Sequence, residues 1–367
     1  MLSAWDDYPV HQTADVIRHV ATSDRNFYDR YYFNLHGSSD ELFMVMGLGQ
    51  YPNLGVQDAF AVVRRGPRHR VVRASRELGD RMDVSVGPFR IEVVEPLKRI
   101  RFLLDETEHG IACDLLWEGS IPAFEEPRHY IRKHGRVLFD TMRFAQTGCW
   151  SGMLRVGDET FDVTPDRWWG TRDRSWGIRP VGETEPPGIR GQEGQMTGMW
   201  NYSPMQFRDH SILYILNETN AGDRPLEEAV RVWSDPARAP EWLGRPEYEH
   251  VLTRGTRMIE RSTLRFPAAP GGPIDVRATP LTHSFIAVGT GYGMEQDWRH
   301  GMYQGALVVQ GLDHSHDEIA PIGQYGVVDH VARFEYDGHV GYGLHEHGFF
   351  GAFDKYGMSD AGAGAAG

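Results

Sequence analysis

The stretch Asp166–Arg179 reads Asp-Arg-Trp-Trp-Gly-Thr-Arg-Asp-Arg-Ser-Trp-Gly-Ile-Arg, with three tryptophans, four arginines and two aspartates in fourteen residues. In extended backbone Thr171, Asp173 and Ser175 share one face, while Arg172, Arg174 and Trp176 share the other. A single carboxylate then projects beside two hydroxyls, with the rings of Trp169 and Trp176 close in sequence. Pushed into an apolar cavity, such a carboxyl has its pKa raised and can act as an acid. The neighbouring arginines oppose that by favouring the ionised form. The alternative is an Asp–Arg pair that locks a strand end, with the tryptophans as core.

A second constellation is His345-Glu346-His347. In a strand His339, Gly341, Gly343, His345 and His347 fall on one face, with Val340, Tyr342, Leu344 and Glu346 on the other. The two imidazoles suit an acid, a base or a hydrogen-bond donor to substrate better than a metal, with a plain structural role as the alternative. A metal would want a further carboxylate soon after His347, where Gly348-Phe349-Phe350-Gly351-Ala352 stands. No metal is therefore expected. Met196–Met205 mixes methionines with Trp200 and Tyr202, adaptable side chains that suit an apolar ligand or a core. Trp200 and Tyr202, at i and i+2, point the same way in a strand, and Tyr214 in the following apolar run joins them as a candidate substrate contact. Gly47-Leu48-Gly49 and Gly289–Gly293 open no helix after a strand, so no dinucleotide or phosphate loop, and no cofactor, is expected. Gly-x-Ser-x-Gly and His-Glu-x-x-His are absent. Spacing alone leaves Ser-His-Asp groupings open.

The elements that must position these residues are strands. Apolar, β-branched and aromatic runs recur at Leu42–Met46, Ala59–Val63, Phe89–Val94, Ile100–Leu104, Ile111–Trp117, Ser211–Leu216, Leu307–Gln310 and Val327–Tyr336, most bounded by Gly, Pro, Asn or Asp. Asp337-Gly338 reads as a hairpin turn, because both central residues of a type I′ turn need positive φ. Short helices are expected at Asp24–Tyr32 and Pro225–Trp233, and Asp313–Glu318 reads as a solvated loop. Many short strands with frequent turns favour sandwiches or barrels.

At 367 residues the chain suits two domains. Tyr51-Pro52, Asp58 and Ala59–Val63 are echoed by Ser203-Pro204, Asp209 and Ile212–Leu216, which suggests two similar halves. The Gly- and Pro-rich stretch Gly182–Gln195 reads as their connection, dividing the chain into residues 1–188 and 189–358, with 359–367 a flexible Gly/Ala tail. Thirty-eight basic against fifty-one acidic residues give a net charge of −13, which argues against nucleic acid and basic membrane surfaces. The N-terminus lacks a signal-peptide pattern and no window approaches about 18 apolar residues, so no membrane span is expected. Cys113 and Cys149 make no disulfide framework, and a reduced, cytoplasmic compartment is the simplest expectation.

Asp173, Trp176 and Gly177 fit a signature that resembles the aromatic-x-Asp-His-Asn-Trp-Gly motif of the lipocalin-like carotenoid hydratase (hydroxyneurosporene synthase) and AttH superfamily. The string Gly170–Arg179 resembles a largely uncharacterised bacterial branch of it. Thr171, Arg174 and Ser175 depart from the motif's aromatic, His and Asn. The resemblance implies an all-β chain of two lipocalin-like antiparallel β-barrel or sandwich halves packed together, with few short helices. It also implies a cofactor-independent lyase (hydratase or dehydratase) or an isomerase or cyclase, acting on a hydrophobic isoprenoid-, steroid- or polyketide-like molecule. Asp173 would donate the proton, with His345 or His347 assisting water. Trp169, Thr171, Trp176, Trp200, Tyr202 and Tyr214 would contact substrate, and cation–π stabilisation would be worth about 0.5–2 kcal/mol per ring. The competing expectation is a carrier of a greasy ligand. A homodimer is the default assembly.

Overall fold

A computed structural model describes residues 2–185, 197–293 and 295–366. The first half contributes β1 (Phe27–His36), β2 (Leu42–Tyr51), β3 (Val56–Arg65), β4 (Arg68–Glu77), β5 (Ser85–Val86), β6 (Phe89–Glu95) and β7 (Arg99–Leu104). It continues with β8 (Ile111–Gly119), β9 (Phe124–Glu125), β10 (His129–Lys133), β11 (Arg136–Val156), β12 (Glu159–Val163) and β13 (Trp169–Ile178). The second half contributes β14 (Gly198–Gln206), β15 (His210–Glu218), β16 (Leu226–Trp233), β17 (Glu241–Trp242), β18 (Glu247–Leu252), β19 (Ile259–Phe266) and β20 (Ile274–Ser284). After β21 (Leu307–Ser315) come the helix α1 (His316–Gly323), then β22 (Val328–Tyr336) and β23 (His339–Phe350).

Two antiparallel sheets result, and the expected all-β class holds. The first runs β21-β4-β3-β2-β1-β13-β11-β8-β7-β6-β5 and curls into a nearly closed barrel. Its last gap is bridged by side chains: Arg76 donates to the Ser85 carbonyl at 2.7 Å and Gln57 to that of Asp83 at 3.0 Å. The second sheet, β17-β16-β15-β14-β23-β22-β20-β19-β18, forms a half-barrel. Period-two alternation gives each sheet two buried faces. Phe33, Leu35, Met44, Met46 and Trp150 fill the first barrel, and Met199, Met205, Tyr214, Phe266 and Phe334 fill the second. Between them lies a third apolar layer, in which Tyr32, Phe43, Val45 and Phe60 on the outside of the first sheet meet Tyr202, Leu213, Ile215 and Leu344 on the outside of the second. All eight apolar runs fall in strands, the last of them from Val328 on. The Asp337-Gly338 turn has φ of 45° and 80°, as a type I′ turn requires.

Several local expectations differ from the fold. The stretches Asp24–Tyr32 and Pro225–Trp233 form no helix: β1 begins at Phe27 and β16 at Leu226, because each finds a ladder partner, β13 and β15. Local propensity yields to tertiary pairing there. Asp313–Glu318 is the end of β21 followed by the start of α1, where His316 is buried. The echo between the halves places its residues differently, since Pro52 lies in a turn and Pro204 inside β14. The expected boundary between 188 and 189 lies outside the described residues, and β21, from the second half, pairs with β4 of the first sheet. Residues 359–366 are tied down rather than loose, since the buried Arg257 guanidinium donates to the carbonyls of Asp360 (2.5 Å) and Ala363 (2.9 Å). Cys113 and Cys149 are both free thiols.

Candidate functional site

Asp173 points from β13 into the layer between the sheets. Its ladder neighbours are Tyr32 on β1 and Ala145 on β11. Two residues before Ala145, on the same face, stands Arg143, whose Nε donates to Glu126 Oε2 at 2.5 Å. Its guanidinium also lies over the rings of Trp200 (5.3 Å) and Tyr202 (4.9 Å) from β14. Tyr202 is fully buried, and its hydroxyl stands within reach of the Glu126 carboxyl, whose pKa it helps to lower. Asp173 is 8 % exposed. Burial pushes its pKa up to about 7, the positive charges of Arg143 and Arg179 pull it down, and the negative charges of Glu126 and Glu346 push it further up. Desolvation wins because, among the described residues, no guanidinium forms an ion pair with it.

A second acidic group faces Asp173 from the other sheet. Asp329 on β22 and Glu346 on β23 are directly opposed in register. The Tyr32 hydroxyl donates to Asp329 Oδ2 at 2.5 Å, crossing the layer, and Trp200 Nε1 donates to Glu346 Oε1. Burial and the Glu346 charge hold the pKa of Asp329 well above the usual carboxylate range. Glu126 is likewise raised, by burial first, although Arg143 opposes it. The layer thus collects four carboxyls around one principal guanidinium, floored by indole and phenol rings.

The structure brings together Asp173, Thr171, Trp169, Trp200 and Tyr202. Thr171 is fully buried, with its amide bonded to Asn34 Oδ1 at 3.0 Å and its hydroxyl unpartnered. Trp169 meets Tyr342 of the second sheet edge-on at 6.1 Å. The other named residues stand elsewhere. His345 and His347 occupy the face of β23 opposite Glu346, inside the second barrel. His345 bonds Ser203 Oγ (2.7 Å) and Ser262 Oγ (2.8 Å), and His347 Nε2 meets the Arg257 carbonyl at 2.9 Å. Burial lowers their pKa values to about 3 and about 4, so both rings are neutral. Tyr214 also faces that interior, edge-on to Phe266 at 6.3 Å. Trp176 lies on the barrel side of β13, near Phe144. Of the Met196–Met205 stretch, Met196 is outside the described residues, while Met199 and Met205 are core.

Sequence reasoning missed Arg143, Glu126, Asp329 and Tyr32. Asp329 did leave a signal, as an acid flanked by Val327, Val328, Val331 and Ala332 in the apolar run Val327–Tyr336.

Residues 2–359 match the model of a family of unknown function, DUF8625. The chain belongs to that family. No curated protein matches it. Among solved structures, this DUF8625 chain is similar to an AttH-type protein from Nitrosomonas europaea, with TM-score 0.56 and 11 % identity over 89 % of this chain and 94 % of that one. It is also similar to kievitone hydratase from Nectria haematococca, with TM-score 0.54 and 12 % identity over 87 % and 88 %. CghA, solved with Sch210972, gives TM-score 0.53 and 10 % identity over 89 % of each chain. At such identities the likeness establishes the fold alone, a lipocalin-like two-barrel arrangement.

Proposed function

We propose that this DUF8625 protein is an acid-catalysed lyase of hydratase or dehydratase type, or an isomerase or cyclase, acting on a hydrophobic small molecule in the layer between its two sheets. The observation that carries the reading is Asp173: a buried carboxyl that forms no ion pair among the described residues, protonated up to about pH 7, with Tyr32 beside it in the ladder and Tyr202 and Tyr292 within electrostatic reach. In the hydration direction its O–H bond breaks as a C–H bond forms on the substrate alkene, leaving a carbocation and the Asp173 carboxylate. The faces of Trp200 and Tyr202 stabilise the cation, by about 0.5–2 kcal/mol each. Water then adds to the cation. Its surplus proton passes to the Asp329–Glu346 pair, which takes the role sequence reasoning gave to His345 or His347, and returns through water to Asp173. The sum is addition of one water across the double bond. Loss of a proton in place of water capture gives the isomer.

A carrier calls for apolar walls with polar groups only at the mouth, whereas here several carboxyls converge at depth, which favours chemistry. The test is organic extraction and mass spectrometry of small molecules that co-purify with wild type and with Asp173→Asn. The variant is expected to retain a substrate differing from the wild-type product by one water, or isomeric with it. The same unaltered molecule on both proteins would leave only the carrier.

A further inference from the structure

The Gly-rich stretch Gly289–Gly293 belongs to the long connection between β20 and β21, which packs on the first sheet. Gly301 N donates to Asp58 Oδ2 at 2.7 Å, Arg73 pairs with Glu295 at 2.9 Å, and the Arg73 guanidinium lies 4.2 Å over the Trp298 ring. Gly289 and Gly291 have φ of 84° and 96°, and a Cβ on Gly291 would come within 2.6 Å of the His300 ring. These glycines let the chain turn Tyr292 inward. Its half-buried ring joins the apolar layer between the sheets, edge-on to Phe60 at 6.0 Å and to His300 at 4.4 Å.

Two guanidinium groups flank that ring, with Cζ of Arg30 5.6 Å and Cζ of Arg179 5.8 Å from its centre. Arg30 is held by Tyr51 and Asp58. Arg179 is not so held. Among the described residues it forms no ion pair, its Nε is buried without a hydrogen-bond partner, and it lies 4.4 Å over the Tyr28 ring. Its Nη2 meets His300 Nδ1 only at 3.5 Å, the acceptor left on that imidazole once Nε2 donates to the Thr290 carbonyl at 2.9 Å. A buried N–H on a cation without a counter-charge is costly unless an acceptor pairs with it. The Tyr292 hydroxyl likewise makes no hydrogen bond among the described residues. Burial keeps its pKa up at about 12 against the pull of Arg30 and Arg179, so it stays a donor. The same end of the layer connects with the acid. On the face of β13 that carries Asp173 the next residues are Ser175 and Gly177, one small and one without a side chain, and Arg179 follows them. Arg30 of β1 and Arg143 of β11 stand beside Ser175 in the ladder.

We infer that this end of the layer binds a carbonyl or hydroxyl oxygen of the substrate, which accepts from Arg179 Nε and the Tyr292 hydroxyl while the apolar body lies over Ser175 and Gly177 toward Asp173. The substrate class is then an oxygenated hydrophobic molecule and not a plain hydrocarbon. A site whose buried donors need an acceptor discriminates strongly against an analogue that lacks one, because binding it leaves those donors unpaired in the apolar layer. Which end of the molecule reacts rests on the reading of Asp173 as the acid; the oxygen site itself stands on Arg179 and Tyr292.

The experiment is calorimetric titration of the full chain with 2-acetylnaphthalene, 2-naphthol and naphthalene, which share an apolar body and differ in the oxygen. The two oxygenated probes are expected to bind at least tenfold tighter than naphthalene. Tyr292→Phe and Arg179→Met are each expected to remove most of that preference while leaving naphthalene binding unchanged, which shows that the layer is intact. Ser175→Trp fills the floor between the acid and Arg179 and is expected to weaken all three probes together. Equal affinity for the three probes overturns the inference, and so does a preference that Tyr292→Phe leaves in place, a readout that stands even if Arg179→Met does not fold. Probe binding untouched by Ser175→Trp lies outside the layer and refutes it equally. Failure of the acid reading shows elsewhere, as the same unaltered molecule extracted from wild type and Asp173→Asn, and leaves the preference for oxygen standing.

Discussion

Replacing Asp173 by Asn is expected to raise stability, and to raise it more as pH rises. The unfolded carboxyl releases its proton near 3.8, whereas the folded one holds it to about 7. Between those values the unfolded state binds fewer protons than the folded, so wild-type stability attributable to this group falls with rising pH. The difference amounts to about 4 kcal/mol once pH exceeds 7, about 2 kcal/mol at pH 5, and nothing below pH 3.8. Asn has the same shape and no charge to bury, and its amide adds an offset independent of pH. Urea unfolding of both proteins at pH 4, 5, 6, 7 and 8 reads the difference directly, because every other titrating group is common to the two. The gap in favour of the variant should widen up to pH 7 and then level off. A gap independent of pH, or one that turns against the variant as pH rises, would mean that Asp173 is ionised and clamped by arginine. The acid assigned above would then not exist.

Three further outcomes follow from the same geometry. Arg143→Met should cost about 3–5 kcal/mol, since it leaves Glu126 buried without its partner, and thermal unfolding measures it. His330 lies 5.1 Å from His347 and 5.2 Å from His283 with both ring nitrogens unpartnered, its pKa held well below 6.5 by burial. Wild type should therefore lose stability as pH falls below 6.5, where the unfolded rings take up protons, and His330→Phe should shift the acid-unfolding midpoint to lower pH. Arg257→Ala removes the donors that hold Phe349 (2.5 Å), Asp360 and Ala363. Hydrogen exchange should rise sharply over 359–366 while the ladders of the first sheet stay protected.

The strands were legible because alternation of apolar and polar residues is a local property, and the hairpin at Asp337-Gly338 because positive φ is paid for residue by residue. The stretches around Tyr28 and Val230 were misjudged for the complementary reason. Their pairing with β13 and β15 is a long-range choice that no window of sequence contains.

The candidate site divides along the same line. Sequence alone determined that Asp173 and Thr171 share a face, that Trp200 goes with Tyr202, and that Glu346 opposes His345, since alternation along a strand fixes these. It could not say which of the two faces meets the other sheet. Only the packing of the sheets put Glu346 and Asp329 opposite Asp173, turned His345, His347 and Tyr214 into the second barrel, and brought Arg143 close enough to lower, but not to cancel, the effect of burial on one carboxyl. A pKa is set by everything within a few ångströms, and most of what surrounds Asp173 comes from strands far away in the chain.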